Sequence, residues 1–412
     1  MTKEKSFMLV LPHKEKQIKD VGVIIDNLKK ASDFSVGDIS FDKGTISTNI
    51  TYLEETFNVE IFPEEFHMFD MFRTQHLFKD LDIKKIEKSK VGICVAMTFS
   101  DDYLTSYHLQ LKIVNCIVSD ALAVLDFCSE KILSSRWAKL AAESSVPPSP
   151  RYLYTVQAIS EGDCVWLHSH GLNRCGITEL EIINSTKEHY DNQYSIIESL
   201  ASRLMDASEL PKEKDPIFLA RLTDEISLVV TLVPWKEALQ SCEDIDIGGF
   251  ADRQDGHNEN TSVIFVYPSK DDYENGHYEH VSIYNEVLAE NPIYMLTTKE
   301  TERMKALAFE RFDYVRNALK NKKNKVLIKI GLEIDDEYRT EENGTDDESK
   351  EHIWFVIKEI NGDIITAELT QEPYYINGLH TGHIGKYNLS DMTDWLIFTP
   401  DMRITSDEVY VL

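Results

Sequence analysis

The sequence predicts an α+β fold: a mixed, largely antiparallel sheet with packed helices over residues 1–324, followed by a small, mostly-β, barrel-like module over residues 325–412. Two observations carry this. Through the first 320 residues, apolar runs of strand length alternate irregularly with helical spacing, the order expected of helices laid on an antiparallel sheet. From His352 onward only strand-like runs remain.

Phe7 to Leu11 reads as a strand, and Ile18, Val21, Ile24, Ile25 and Leu28 give the following segment a helical stripe. Alternation around Ile46 to Tyr52 and Phe57 to Phe62 predicts a strand pair, with Lys43-Gly44 as a hairpin turn. Val91 to Phe99 is a strand, Tyr103 to Val118 a helix and Ala121 to Phe127 a strand with one acid in its apolar run. Val146-Pro147-Pro148-Ser149-Pro150 is a loop or subdomain hinge, because each proline lacks an amide donor and restricts its predecessor.

Beyond it, Tyr152 to Ala158 and Cys164 to His170 are predicted strands and Tyr190 to Met205 a helix. Further strands are expected near Ile217 to Arg221, Ile226 to Val233, Ser262 to Tyr267 and Val281 to Tyr284, with a loop from Gly248 to Asn260. One continuous helix is expected over Glu300 to Lys320, ending in the bases that suit a helix C-terminus. In the last module, Ile353 to Ile360 and Ile364 to Leu369 flank Asn361-Gly362-Asp363, which predicts a type I′ hairpin. Trp354 and Trp395 are expected inside, and His380 and His383 on a solvent-facing loop.

With 71 acids against 43 Lys plus Arg, the 412-residue chain carries a formal charge of -28. That disfavours nucleic-acid and anionic-membrane binding, which need clustered bases. No apolar run reaches the roughly 18 residues of a membrane helix, and six scattered cysteines without a CxxC suggest a reducing cytosol. Residues 333–351 hold ten acids against two bases and are expected to form an acidic loop.

Reactive side chains are densest between Trp166 and Glu181. On a strand, His168 and His170 share a face, and Cys175, Glu179 or Glu181 could complete a zinc site. The run resembles the JAMM metalloprotease signature, in which His-x-His-Pro ends a strand and Ser, then Asp, follow on a helix. Here Gly171 stands for the proline, Thr178 for the serine and Glu181 for the aspartate. Cys175 near the two histidines also raises a nucleophile reading, which would need a depressed thiol pKa.

His352-Ile353-Trp354, Asn361-Gly362-Asp363, Pro373-Tyr374-Tyr375, Gly378-Leu379, Gly382 and Ser390-x-x-x-Asp394-Trp395 resemble the YegJ-like domain of unknown function. The preceding region, including the stretch from Trp166 to Gly176, resembles uncharacterised proteins of Gram-positive bacteria in which it is joined to that module. These resemblances imply an architecture and a bacterial cytosol, and no catalytic residue or cofactor. The expectation is a non-catalytic, cytoplasmic binding protein for a basic protein partner, without a cofactor. The alternative is a zinc-dependent hydrolase using His168 and His170.

Overall fold

The computed structural model describes residues 3–73, 78–241, 245–253, 258–293, 297–339 and 350–412. Packing divides the chain into a large unit, Met1–Glu143 with Pro147–Thr297, and a C-terminal unit, Ser144–Val146 with Thr298–Leu412. Among the described residues no helix is long and apolar enough to cross a membrane.

The large unit holds two sheets. The first runs Ser35–Val36, Thr45–Tyr52, Glu55–Glu65, Val91–Thr98, Lys5–Pro12, Ala121–Asp126, Lys131–Ser134, with Ser40–Asp42 paired on Thr45–Tyr52. Its pairings are antiparallel. Lys5–Pro12 lies deep in the sheet, and Met8 to Leu11 have no exposed surface, because both faces of the strand are covered. Leu9 and Leu11 join Phe66, Phe72 and Ile86 on one side. Tyr103–Ile117 covers the other, started by the Asp102 side chain, which accepts Thr105 N at 3.0 Å. From that helix Gln110 accepts the Ser6 hydroxyl at 2.8 Å and donates to Val95 O at 2.9 Å.

The second sheet runs Ile217–Arg221, Ser227–Pro234, Thr261–Val266, Glu179–Thr186, Cys164–His170, Thr155–Glu161, with Glu279–His280 on Thr261–Val266. Glu179–Thr186 pairs parallel with Thr261–Val266 and antiparallel with Cys164–His170. Tyr190–Asp206 packs over this part of the sheet, burying Ile196, Ile197, Leu200 and Leu204. The expected strand at Val281 to Tyr284 is instead a 3-10 turn, begun by the His280 side chain.

In the C-terminal unit six strands run Ile384–Asn388, Ile364–Leu369, Lys350–Asn361, Lys325–Glu333, Met392–Phe398, Arg403–Ile404. The sheet is open, not barrel-like. Helices Thr298–Glu310 and Phe312–Ala318 pack on Met392–Phe398 and provide the burial that closure would otherwise supply. The helical stretch before residue 325, assigned from sequence to the larger region, therefore packs with this unit. It is two helices, parted at Arg311, whose guanidinium donates to Ser406 O at 2.8 Å.

Trp395 is fully buried and donates its indole N–H to Ala308 O at 2.8 Å. Trp354 is only partly buried: it pairs with Lys329 while its neighbour Phe355 pairs with Ile328, so the two tryptophans lie on opposite faces. The hairpin loop is Gly362-Asp363, with Gly362 at φ 62° and Asn361 still paired to Ile364. A single positive φ, at the first loop residue, replaces the expected type I′ geometry. His380 and His383 are exposed. Of the acidic run, residues 340–349 lie outside the described residues, as does Cys242.

Candidate functional site

The run from Trp166 to Glu181 is a buried polar core. Trp166, His168 and His170 share one face of Cys164–His170 at a two-residue period, with ring centroids 4.1 Å apart for Trp166 and His168 and 4.9 Å for His168 and His170. His168 is fully buried. His170 lies at the edge of burial, with Nδ1 3.7 Å from the Glu130 carboxylate, which also accepts Gln157 Nε2 at 2.5 Å. Burial raises the Glu130 carboxyl above its ordinary range.

The two acids expected to join the histidines are committed elsewhere. Glu179 accepts Ser169 Oγ at 2.6 Å, Gly171 N at 2.8 Å and Asn173 N at 3.0 Å, so it ties down the turn after the strand. Burial pushes its carboxyl up to about 7 against the opposing pull of those donors. Glu181 takes both arms of Arg253, at 2.8 and 2.5 Å, and accepts the Trp166 indole N–H at 3.0 Å and the Thr261 hydroxyl. The guanidinium lies between two indoles, 5.0 Å from the Trp166 centroid and 4.6 Å from that of Trp235.

The JAMM arrangement is not formed. Glu179–Thr186 is a strand where that signature needs a helix. Gly171 sits at φ 111°, where a proline ring cannot go, and an added Cβ would lie 2.3 Å from Leu153 O. Cys175 is buried and its thiol is pushed up to about 12 by desolvation, so it is not a thiolate at neutral pH. Among the described residues no three His, Cys, Asp or Glu side chains are grouped to hold a metal ion.

A second buried network was not anticipated. Arg174 and Asp126, both fully buried, pair through two 2.8 Å hydrogen bonds. Arg174 also donates to Ser6 Oγ at 3.1 Å and Leu153 O at 2.5 Å, while Ser129 Oγ donates to Asp126 at 2.8 Å. Nearby Lys131 donates to Arg151 O at 2.9 Å and to Tyr154 O, and burial lowers its ammonium to about 7. The signal was present in the sequence: one acid inside the apolar run from Ala121 to Phe127 cannot be buried without a cationic partner.

Three family models match the chain. They are a protein of unknown function (DUF4026), N-terminal, over residues 6–148, the C-terminal counterpart over residues 155–265, and an uncharacterized protein conserved in bacteria (DUF2314) over residues 298–406. The chain thus carries a two-part region of unknown function followed by a second uncharacterised domain, and DUF2314 replaces the YegJ-like label. No curated protein and no solved structure matches it.

Proposed function

We propose that the protein is a non-catalytic binding protein of a Gram-positive bacterial cytosol that holds a basic protein partner, as immunity-type proteins do. The carrying observation is where its charge is spent. Its most reactive-looking acids, Glu179 and Glu181, are consumed by internal hydrogen bonds, whereas the net charge of -28 comes from carboxylates elsewhere in the chain. A cavity of about 220 Å³ under Val21–Lys29 is lined mostly by aliphatic side chains, Ile18, Ile24, Ile46, Ile61 and Ile93 among them, with Lys19 as its one charged group. A strongly acidic protein speeds encounter with a cationic partner and rejects anionic ones. Titration with a basic protein and with an acidic one, at low and high salt, tests the reading: salt-sensitive binding of the basic protein alone is expected, and binding of neither would overturn it.

The alternative, a zinc-dependent hydrolase on His168 and His170, is favoured by the 4.9 Å approach of the two imidazoles. The commitments of Glu179 and Glu181 weigh against it. Metal analysis of the purified protein should find substoichiometric zinc, unchanged by His168→Ala with His170→Ala. Stoichiometric zinc lost in that double variant would place a zinc site on these histidines and overturn the preference for a binding protein.

A further inference from the structure

In the C-terminal unit, the segment joining Ile364–Leu369 to Ile384–Asn388 has no regular structure, yet carboxylates fix its backbone. Glu351 accepts Tyr374 N at 2.8 Å and Tyr375 N at 2.9 Å. Asp335 accepts Asn377 N at 2.8 Å, and its own N–H donates to Tyr375 O at 3.0 Å. Glu372 accepts Thr381 N at 2.9 Å, and Tyr338 donates its hydroxyl to Asn377 Oδ1 at 3.0 Å.

A segment so well tied could fold its aromatic rings inward, but these face water. Tyr374 is 78% exposed and Tyr375 50%. Their centroids are 6.3 Å apart, and the partly buried Tyr338 lies 5.7 Å from Tyr375, so a third ring adjoins the exposed pair. Rigidly held, solvent-facing tyrosines offer large contact area at low entropic cost, which is how protein-binding loops use them. The surroundings select the occupant. Asp335, Asp336, Glu337 and Glu351 lie on the described segments that hold the rings, and the two bases there, Arg339 and Lys350, both lie within reach of Glu333, at 3.2 and 3.9 Å. Arginine suits such a place better than lysine, since its weakly hydrated planar head stacks on aromatic rings.

We propose that Tyr338, Tyr374 and Tyr375 form the docking surface for an arginine-rich segment of the partner, its guanidinium groups stacked on the rings and its charge balanced by Asp335, Glu337 and Glu351. This rests on the binding reading above and adds the place and chemistry of contact.

The probe is a fluorescein-labelled synthetic peptide of arginines spaced by glycine, with the lysine equivalent as comparison, titrated against the full chain by anisotropy at low salt. Wild type should prefer the arginine peptide. Tyr374→Ala with Tyr375→Ala leaves the net charge untouched and should weaken binding about five- to thirty-fold, the loss of two exposed cation–π contacts. Tyr374→Phe with Tyr375→Phe should bind as wild type, and thermal unfolding should be the same in all three. Undiminished binding by the alanine variant would overturn the docking surface and leave diffuse charge attraction as the basis of binding. Equal affinity for the lysine peptide would overturn the stacking. Failure of wild type to bind either peptide would overturn the surface alone, while the titration with whole basic and acidic proteins decides the binding reading.

Discussion

The run from Trp166 to Glu181 and the segment from Glu372 to His383 draw on the same side chains, histidines, glutamates and large aromatics, and use them in opposite ways. In the first, Glu181 and Arg253 neutralise one another between two indoles and leave almost nothing exposed. In the second, the glutamates spend their oxygens on backbone N–H groups while the rings and both histidines face solvent. Density of reactive residue types therefore does not mark a site. In both regions the carboxylates find partners inside the fold; what separates the two is whether the rings beside them are buried, as Trp166 and His168 are, or left to solvent, as Tyr374 and Tyr375 are.

The sharpest way to break this contrast is to remove one member of a buried pair. Asp126→Ala should destabilise the large unit by about 3–5 kcal/mol in denaturant titration, because it strands the Arg174 charge without a counter-ion. A loss below about 1 kcal/mol would mean that water reaches Arg174. Trp395→Ala should cost about 3–5 kcal/mol in the C-terminal unit through the cavity it leaves, read as an early unfolding step.

A smaller effect should follow pH. The Glu179 carboxyl is held near 7 when folded and near 4.5 when unfolded, so the folded state binds the proton more tightly. Its share of stability is therefore full below about pH 4.5 and is lost as pH rises through 7, by about 3 kcal/mol in all. Glu179→Gln should flatten that slope, and an unchanged slope in the variant would assign it to another group. Smallest of all, Tyr374→Ala should shift stability by no more than about 0.5 kcal/mol, as for an exposed side chain with no internal role.

The strands around Leu9, Val95 and Ile264 were legible because both faces are apolar and the run is unbroken. Glu179–Thr186 was not read as a strand at all, although it lies inside its sheet. Its buried positions include Glu179, Glu181 and Ser185, so the alternation that betrays a strand is written partly in polar residues whose partners come from elsewhere in the chain. Trp354 was misplaced for the converse reason: Ile353 to Ile357 is apolar throughout, which leaves the phase of the strand undetermined until Ile328 and Lys329 pair with it. The break at Arg311 was invisible because side-chain spacing continues smoothly across it, and the Ser406 carbonyl that its guanidinium reaches lies 95 residues away. Within the candidate site, sequence placed His168 and His170 on one face but could not show that Arg253 and Thr261 had already claimed Glu181.

The Asp126–Arg174 pair has a bearing on how such a chain can evolve. Asp126 belongs to the stretch matched at 6–148 and Arg174 to the stretch matched at 155–265, two segments that look like interchangeable cassettes. A recombination that brought in one without the other could leave an acid or a base desolvated with no counterpart, together with an unmatched Ser6 or Leu153 carbonyl. The two halves should therefore descend as a single heritable block, whereas the C-terminal unit, with Trp395 and Ala308 contained within its own boundaries, can be gained or lost without disturbing that pair.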